Sequence, residues 1–315
     1  MKKILSTLSC LMFVVCLHAQ EADAPVSGFI PITVVGSAQE NVSESTNKFL
    51  ENKLQQIISQ NGLGSADYYG RFVITASFMP VTKDIVPGPP KQFAENIDIT
   101  FYIVDNFDQK IFSSTTVSAR AVDASEEKVL NKAIRSINVK SPKITSFVAE
   151  GREKIVNYYI SQADRIIATA RSLARQRNYE AAFYELSAIP QACGAAYDKA
   201  VAAGNDIFRE YVDYLCDVNL AKARTAWSAE QNAAGAKKAG EFLAYIYPDA
   251  KCYEEAKDLY SEIQSKVLDD WKFVMRVYED GVDMEKERIR AWRDVGVAYG
   301  DHQQPINNNV NWLIR

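Results

Sequence analysis

Histidine and cysteine, the side chains behind much enzyme and metal chemistry, are scarce in this chain: its 315 residues hold two histidines and five cysteines. His18, Cys10 and Cys16 fall within the first nineteen residues, which leaves His302, Cys193, Cys216 and Cys252 for the rest. A Ser-His-Asp relay needs a rigidly held histidine, whereas His302 follows Gly300 in the polar stretch DHQQPINNN, which reads as a linker. The three later cysteines lack the close paired spacing of a structural zinc site. No GxxxxGK(S/T) phosphate loop is present, and Gly62-Leu63-Gly64 follows a helical stretch, so it fits a connector rather than a dinucleotide site. Neither a metal nor a cofactor is expected.

Long apolar runs are missing as well. Past the leader nothing approaches the roughly 20 consecutive apolar residues of a membrane-spanning helix. A net charge of −4 gives no general basic field for nucleic acid. The basic clusters Arg171, Arg175, Arg177 and Lys286, Arg288, Arg290, Arg293 are interleaved with apolar residues in helical stretches, which reads as solvated helix faces.

What is present begins with a leader. Lys2 and Lys3 precede a mostly apolar run over residues 4–15, and Leu17-His18-Ala19 offers a small residue before Gln20. The pattern predicts a secretory signal peptide over residues 1–19 and an exported mature chain. A lipoprotein signal that uses Cys10 or Cys16 is the competing reading, although Phe13-Val14-Val15 stands before Cys16 where such sites want a small residue. Export points to the periplasm, with the periplasmic face of the outer membrane as one location there, and to a compartment where disulfides persist. Three mature cysteines are an odd number, so at least one stays free or pairs with another chain.

Residues 27–140 read as one α/β module. Residues 29–35, rich in β-branched residues, read as a strand closed by Gly36-Ser37, and residues 43–60 carry Phe49, Leu50, Leu54, Ile57 and Ile58 at helical spacing before Asn61-Gly62. Residues 71–78, 97–104 and 110–118 read as three strands, with a hairpin turn at residues 105–109. A helix over residues 125–136 presents Val129, Leu130, Ala133 and Ile134 on one face. The expected fold class is α+β: a small, mainly antiparallel sheet with helices on one face, followed by an all-α domain of helical hairpins.

The segments RFVITASF, IDITFYIVDNFDQKIFSSTTVSA and SEEKVLNKAIRSI span about sixty-five residues in which a strand ending in Val-Asp, a short turn, a second strand and a helix succeed one another. This order resembles a family of envelope modules that includes the amino-terminal domain of the Tol-system propeller protein and the curli-secretion lipoprotein. A lipoprotein activator of penicillin-binding proteins and a flagellar accessory protein share it. The glycine often found in that turn is absent here, where Asp108-Gln109-Lys110 stands. The resemblance implies a non-catalytic interaction domain used to assemble envelope machines. One member forms a pore from long hairpins; here residues 79–95, with Pro80, Pro87, Pro89 and Pro90, read as a loop, which argues against a membrane hairpin.

Residues 141–300 read as helical, with Ile155, Tyr159, Ala163, Ile166, Ala170 and Leu173 along one face. Asn178 to Ala182, then Leu186 and Ile189-Pro190, resembles the second helix of a tetratricopeptide-type hairpin. AIPQACGAAYDKA, residues 188–200, is echoed by YIYPDAKCYEEA, residues 245–256, and Pro190 and Pro248 stand 58 residues apart, longer than a repeat of about 34. Stacked hairpins of this kind present an extended surface to a partner, while a bundle that merely braces the first domain is the plainer alternative. Phe208, Tyr211, Leu215, Leu220, Ala223 and Trp227 fit a further helix pair, and a last amphipathic stretch over residues 253–299 is expected to break at Gly281.

Cys193 and Cys252 occupy equivalent places in the two echoes, so they are the candidate disulfide, with Cys216 as the buried free thiol. Residues 301–315 read as a polar linker and an apolar tail, in which Trp312, Leu313 and Ile314 are candidate docking anchors, onto this chain or another. A glycan-acting hydrolase would need only two carboxylates, and Glu126-Glu127, Asp269-Asp270 and Glu254-Glu255 are available. With 40 acidic residues such neighbours arise by chance, however. The sequence therefore favours a non-catalytic periplasmic scaffold or accessory protein binding envelope proteins, with neither nucleic acid nor a transmembrane segment in the mature chain, and leaves a homo-oligomer open. The glycan hydrolase is the alternative.

Overall fold

The computed structural model describes residue 28 and residues 30–65, 71–267, 275, 284–303 and 312–313. The expected leader, Asp269-Asp270, Trp271, Val274, Tyr278, Gly281 and Ile314 lie outside them.

Strand β1, Pro31–Val34, opens a five-stranded sheet. Helix α1, Glu44–Gln60, follows, its first turn capped by Ser43, which accepts the Thr46 amide at 3.2 Å. Leu50, Leu54, Ile57 and Ile58 are its buried stripe. The chain turns at Gly62, whose φ of +73° lies in the left-handed region that glycine adopts without strain. Strand β2, Gly64–Ser65, then precedes the long strands β3, Phe72–Val86, β4, Gln92–Asp105, and β5, Lys110–Asp123. The order is β2-β1-β3-β4-β5, with β1 parallel to β2 and β3 and the other pairs antiparallel. The fold class read from the sequence is observed.

Residues 79–95 differ from the expected loop. They extend the β3–β4 hairpin, and pairing runs out to Val86 opposite Gln92. The prolines are compatible with pairing because of where they fall. Phe78 turns both backbone groups outward to Gln39, so strand alternation directs the Pro80 nitrogen to the same open edge, and the ladder shifts between Pro80 and Thr82. Pro87, Pro89 and Pro90 lie in the turn between the two strands. The proline content thus gives no argument against a long hairpin. Met79, Val81, Ile85 and Val86 are exposed along it.

Helix α2, Glu126–Ser136, lies on the inner face of the sheet, and α3, Pro142–Arg175, begins there too, capped by Ser141 with Pro142 in its first turn. Phe147 stands against Phe101 with ring centroids 6.3 Å apart, and Tyr159 meets Phe72 edge-on at 5.5 Å. At Gly151 the approach is so close that a Cβ would lie 2.7 Å from Ile103 Cδ1. The first half of α3 therefore joins α1 and α2 as a third cover. A single apolar core continues from the sheet into the helices across residue 140, where a domain boundary was expected.

The helical part runs on as α4, Tyr179–Ser187, a 3-10 turn at Gln191–Cys193, α5, Ala195–Ala229, α6, Ala233–Leu243, α7, Tyr253–Val267, and α8, Met284–Gln303. Both echoed segments include the turn that follows a short helix, α4 in one case and α6 in the other. Trp292 of α8, 1% exposed, packs on Phe183 and so close to Gly204 that a Cβ there would stand 2.6 Å from its indole. The polar linker starts later than expected, because α8 continues through His302 to Gln303. No helix among the described residues is long and apolar enough to cross a membrane.

Candidate functional site: a polar hub and the outer face of the sheet

The end of the sheet that holds the β4–β5 turn is organised by one carboxylate. Asp105 closes β4 with a side chain that is 0% exposed. Its Oδ1 accepts the backbone N–H groups of Phe107 and Asp108, each at 3.0 Å, which folds the turn. Its Oδ2 accepts Arg71 Nε at 2.7 Å and the Tyr159 hydroxyl of α3 at 2.6 Å. Arg71 also reaches Asp108 at 2.6 Å and lies over the rings of Phe107 and Tyr159. Burial, with the Asp105 charge adding to it, holds the Tyr159 hydroxyl far above its ordinary range, and burial pushes neighbouring Tyr184 up to about 12. A carboxylate with both oxygens engaged twice serves to lock the turn, the sheet and α3 together. It offers no free base.

The sheet's outer face carries no described helix. Thr100 and Thr116 hydroxyls bond at 2.9 Å, Ser77 bonds Tyr102 at 3.3 Å, and Ser118 donates to Asp98 at 2.5 Å, so the middle of this face is lined by hydroxyls. Among the described residues, its corner beside the hub forms an apolar cluster, Val73 and Val104 with Val35, Ala38 and Tyr102 packed around them. Trp312 and Leu313 sit on that corner, and the Trp312 indole N–H donates to Asn106 Oδ1 of the turn at 3.2 Å. Two of the three expected anchors thus lie on this protein's own sheet, half-buried, and Ile314 lies outside the described residues.

The expected Cys193–Cys252 disulfide is corrected. Cys216 pairs with Cys252, their Cα atoms 6.0 Å apart, and Cys193 is the buried free thiol. The physical reason is distance. Cys193 stands just before α5, whereas Cys216 lies 21 residues beyond the helix start at Ala195, about 30 Å along at 1.5 Å per residue. The Cys193 sulfur faces the Val156 carbonyl, and burial pushes its thiol up to about 11.

The two expected carboxylate pairs among the described residues, Glu126-Glu127 and Glu254-Glu255, are engaged on the surface. Glu126 meets Lys83 at 2.6 Å, and Glu127 accepts the Ser43 and Ser45 hydroxyls. Glu254 pairs with Lys257 and Glu255 with Arg224. Among the basic clusters, Arg288 binds Asp249 at 2.6 Å, Arg290 binds Glu287 and Arg171 lies 4.0 Å from Asp206. No group of three or more metal-ligating side chains is found among the described residues. The sequence reading missed the Arg71–Asp105–Tyr159 hub; the available signal was a lone arginine opening an otherwise apolar strand.

No family model and no curated protein matches this chain. Among solved structures, it is similar to a minor lipoprotein from Acinetobacter baumannii at 17% identity and a TM-score of 0.27, over 39% of this chain and 94% of that one. A protein described as a lipoprotein from Caulobacter crescentus CB15 is similar at 12% identity and a TM-score of 0.20, over 39% of this chain and 83% of that one.

Proposed function

We propose that this protein is a non-catalytic accessory factor of the bacterial cell envelope that binds protein partners through the outer face of its sheet. The observation that carries the reading is the asymmetry of that sheet. One face is buried under α1, α2 and α3, while the other carries no helix among the described residues, with a hydroxyl-lined centre and an apolar corner occupied by a half-buried tail. Partner surfaces combine an apolar anchor with a polar, solvated surround. The signal-like leader supports a periplasmic site of action, and the Cys216–Cys252 disulfide is compatible with that compartment. The strand-turn-strand-helix order that resembles the Tol-propeller and curli-secretion modules supports an assembly role, and the tetratricopeptide-like start of α4 supports a scaffold.

Crosslinking in native cells followed by affinity isolation tests this. Reproducible protein partners are expected, and the purified chain is expected to leave peptidoglycan and other glycans intact. A purified monomer that cleaves such a glycan, with no partner recovered, overturns the reading.

A further inference from the structure

The two long edges of the sheet are built differently. Past the end of β1, the edge of β3 is blunted: the Gln39 side chain bonds the Phe78 N–H at 2.6 Å and its carbonyl at 3.0 Å, and Pro80, a register shift, Lys83 and Asp84 follow. These are devices that stop a strand from pairing with a neighbour. The β5 edge has no proline and no side-chain cap of this kind, and its one register shift lies near its start, at Phe112. Its residues 111–119, Ile-Phe-Ser-Ser-Thr-Thr-Val-Ser-Ala, contain no charge, proline or glycine, and Ile111, Ser114 and Ser118 are exposed. Apart from the ladder with β4, no backbone group of residues 111–121 has a partner among the described residues. The first capped group is the Val122 carbonyl, which Lys132 Nζ meets at 3.0 Å.

We propose that β5 pairs antiparallel with β5 of a second copy of this chain, joining the two sheets across a two-fold axis beside Thr116. A two-fold axis normal to an antiparallel ladder passes through a pair of facing residues, so some residue must face its own equivalent. Thr116 suits that place. Ser114 then faces Ser118 of the second copy on the outer face, and Thr115 faces Val117 on the inner one. Such Thr/Ser pairs repeat the Thr100–Thr116 contact already made between β4 and β5. The charges select a second copy over a foreign strand. Lys110 begins β5 and Asp123 ends it, so an antiparallel mate in this register brings each Lys110 within two residues of the other copy's Asp123, with residues 111–119 neutral between and Arg120, the remaining charge of β5, set opposite the Ile111-Phe112 step. This pairing goes beyond the accessory role, which does not require self-association.

Sedimentation velocity of the mature chain, residues 20–315, over rising concentration tests the pairing. A monomer–dimer equilibrium is expected. Thr116→Lys and Thr116→Glu each place like charges face to face and weaken the dimer at least about tenfold. Mixing the two variants restores it. In an oxidant, Thr116→Cys forms a crosslinked dimer, because facing residues lie about 4.5–5.5 Å apart between Cα atoms, within disulfide reach. Ser114→Cys crosslinks with Ser118→Cys and not with itself. A wild-type chain that stays monomeric, variants that associate as well as wild type, or a mixture that fails to recover overturns the proposal. So does the opposite crosslinking pattern.

Discussion

Replacing Asp105 with Asn is the sharpest probe of the hub. The substitution preserves shape and removes charge. Asp105 is 0% exposed and accepts four hydrogen bonds, two on each oxygen. An asparagine can keep its oxygen towards the Phe107 and Asp108 amides, but its NH₂ group then faces Arg71 Nε, donor against donor, and the Tyr159 hydroxyl has to turn from donating to accepting. Arg71, whose side chain is 20% exposed, keeps only Asp108 and its ring contacts. Breaking a buried pair from one side costs about 3–5 kcal/mol. Tyr159→Phe, which removes one hydrogen bond to a charged acceptor, costs about 1.5–3 kcal/mol. Because both changes act on Oδ2, the double variant loses less than the sum of the two. Urea unfolding reads these losses as shifts in midpoint at unchanged slope. A loss below about 1 kcal/mol for Asp105→Asn, or strict additivity with Tyr159→Phe, would refute the hub as a coupled network.

Glu95, 7% exposed with Oε1 unbonded, has its pKa raised by burial, with Glu126 adding to the shift and Lys83 opposing it. Its folded form therefore holds a proton more tightly than the unfolded chain, a stabilisation present at low pH and lost as pH rises through the folded pKa. Glu95→Gln should accordingly be more stable than wild type at neutral pH and converge with it in acid, as read by thermal unfolding across pH. Reducing the Cys216–Cys252 bond, which spans 36 residues, should cost up to about 4 kcal/mol, and peptide mapping should find Cys193 alkylated only after unfolding. Gly204→Ala drives a methyl into the Trp292 indole and should cost about 1–3 kcal/mol, with a change in tryptophan fluorescence.

Periodicity made most elements legible, since burying one face forces a repeat of two in strands and 3.6 in helices. Ile97, Ile99, Phe101 and Ile103 of β4 alternate inward, and the buried positions of α3 fall at Ile155, Tyr159, Ala163, Ile166 and Ala170, as their spacing requires. The far half of the β3–β4 hairpin was hidden because Pro80 weighs against a strand unless one knows that its nitrogen faces an open edge. The hub was hidden for another reason: Arg71, Asp105 and Tyr159 meet only once the sheet and α3 have packed. The disulfide misled through symmetry, since Cys193 and Cys252 are equivalent in the echo yet separated by much of α5. Trp312 and Leu313 stood out by contrast with their linker, but the corner that receives them is assembled from the segment after β1, from β3 and β4, and from the turn.

The claim that partners bind the outer face is tested most directly by site-specific photocrosslinking in native cells. A crosslinker at Thr100, in the middle of that face, should capture a discrete protein partner. The same crosslinker at Lys237, exposed on α6, should not. Truncation after Gln303, which removes the Trp312–Leu313 anchor, should diminish the Thr100 product. Equal capture from both positions, or none from Thr100 while the chain remains folded and exported, would contradict the account.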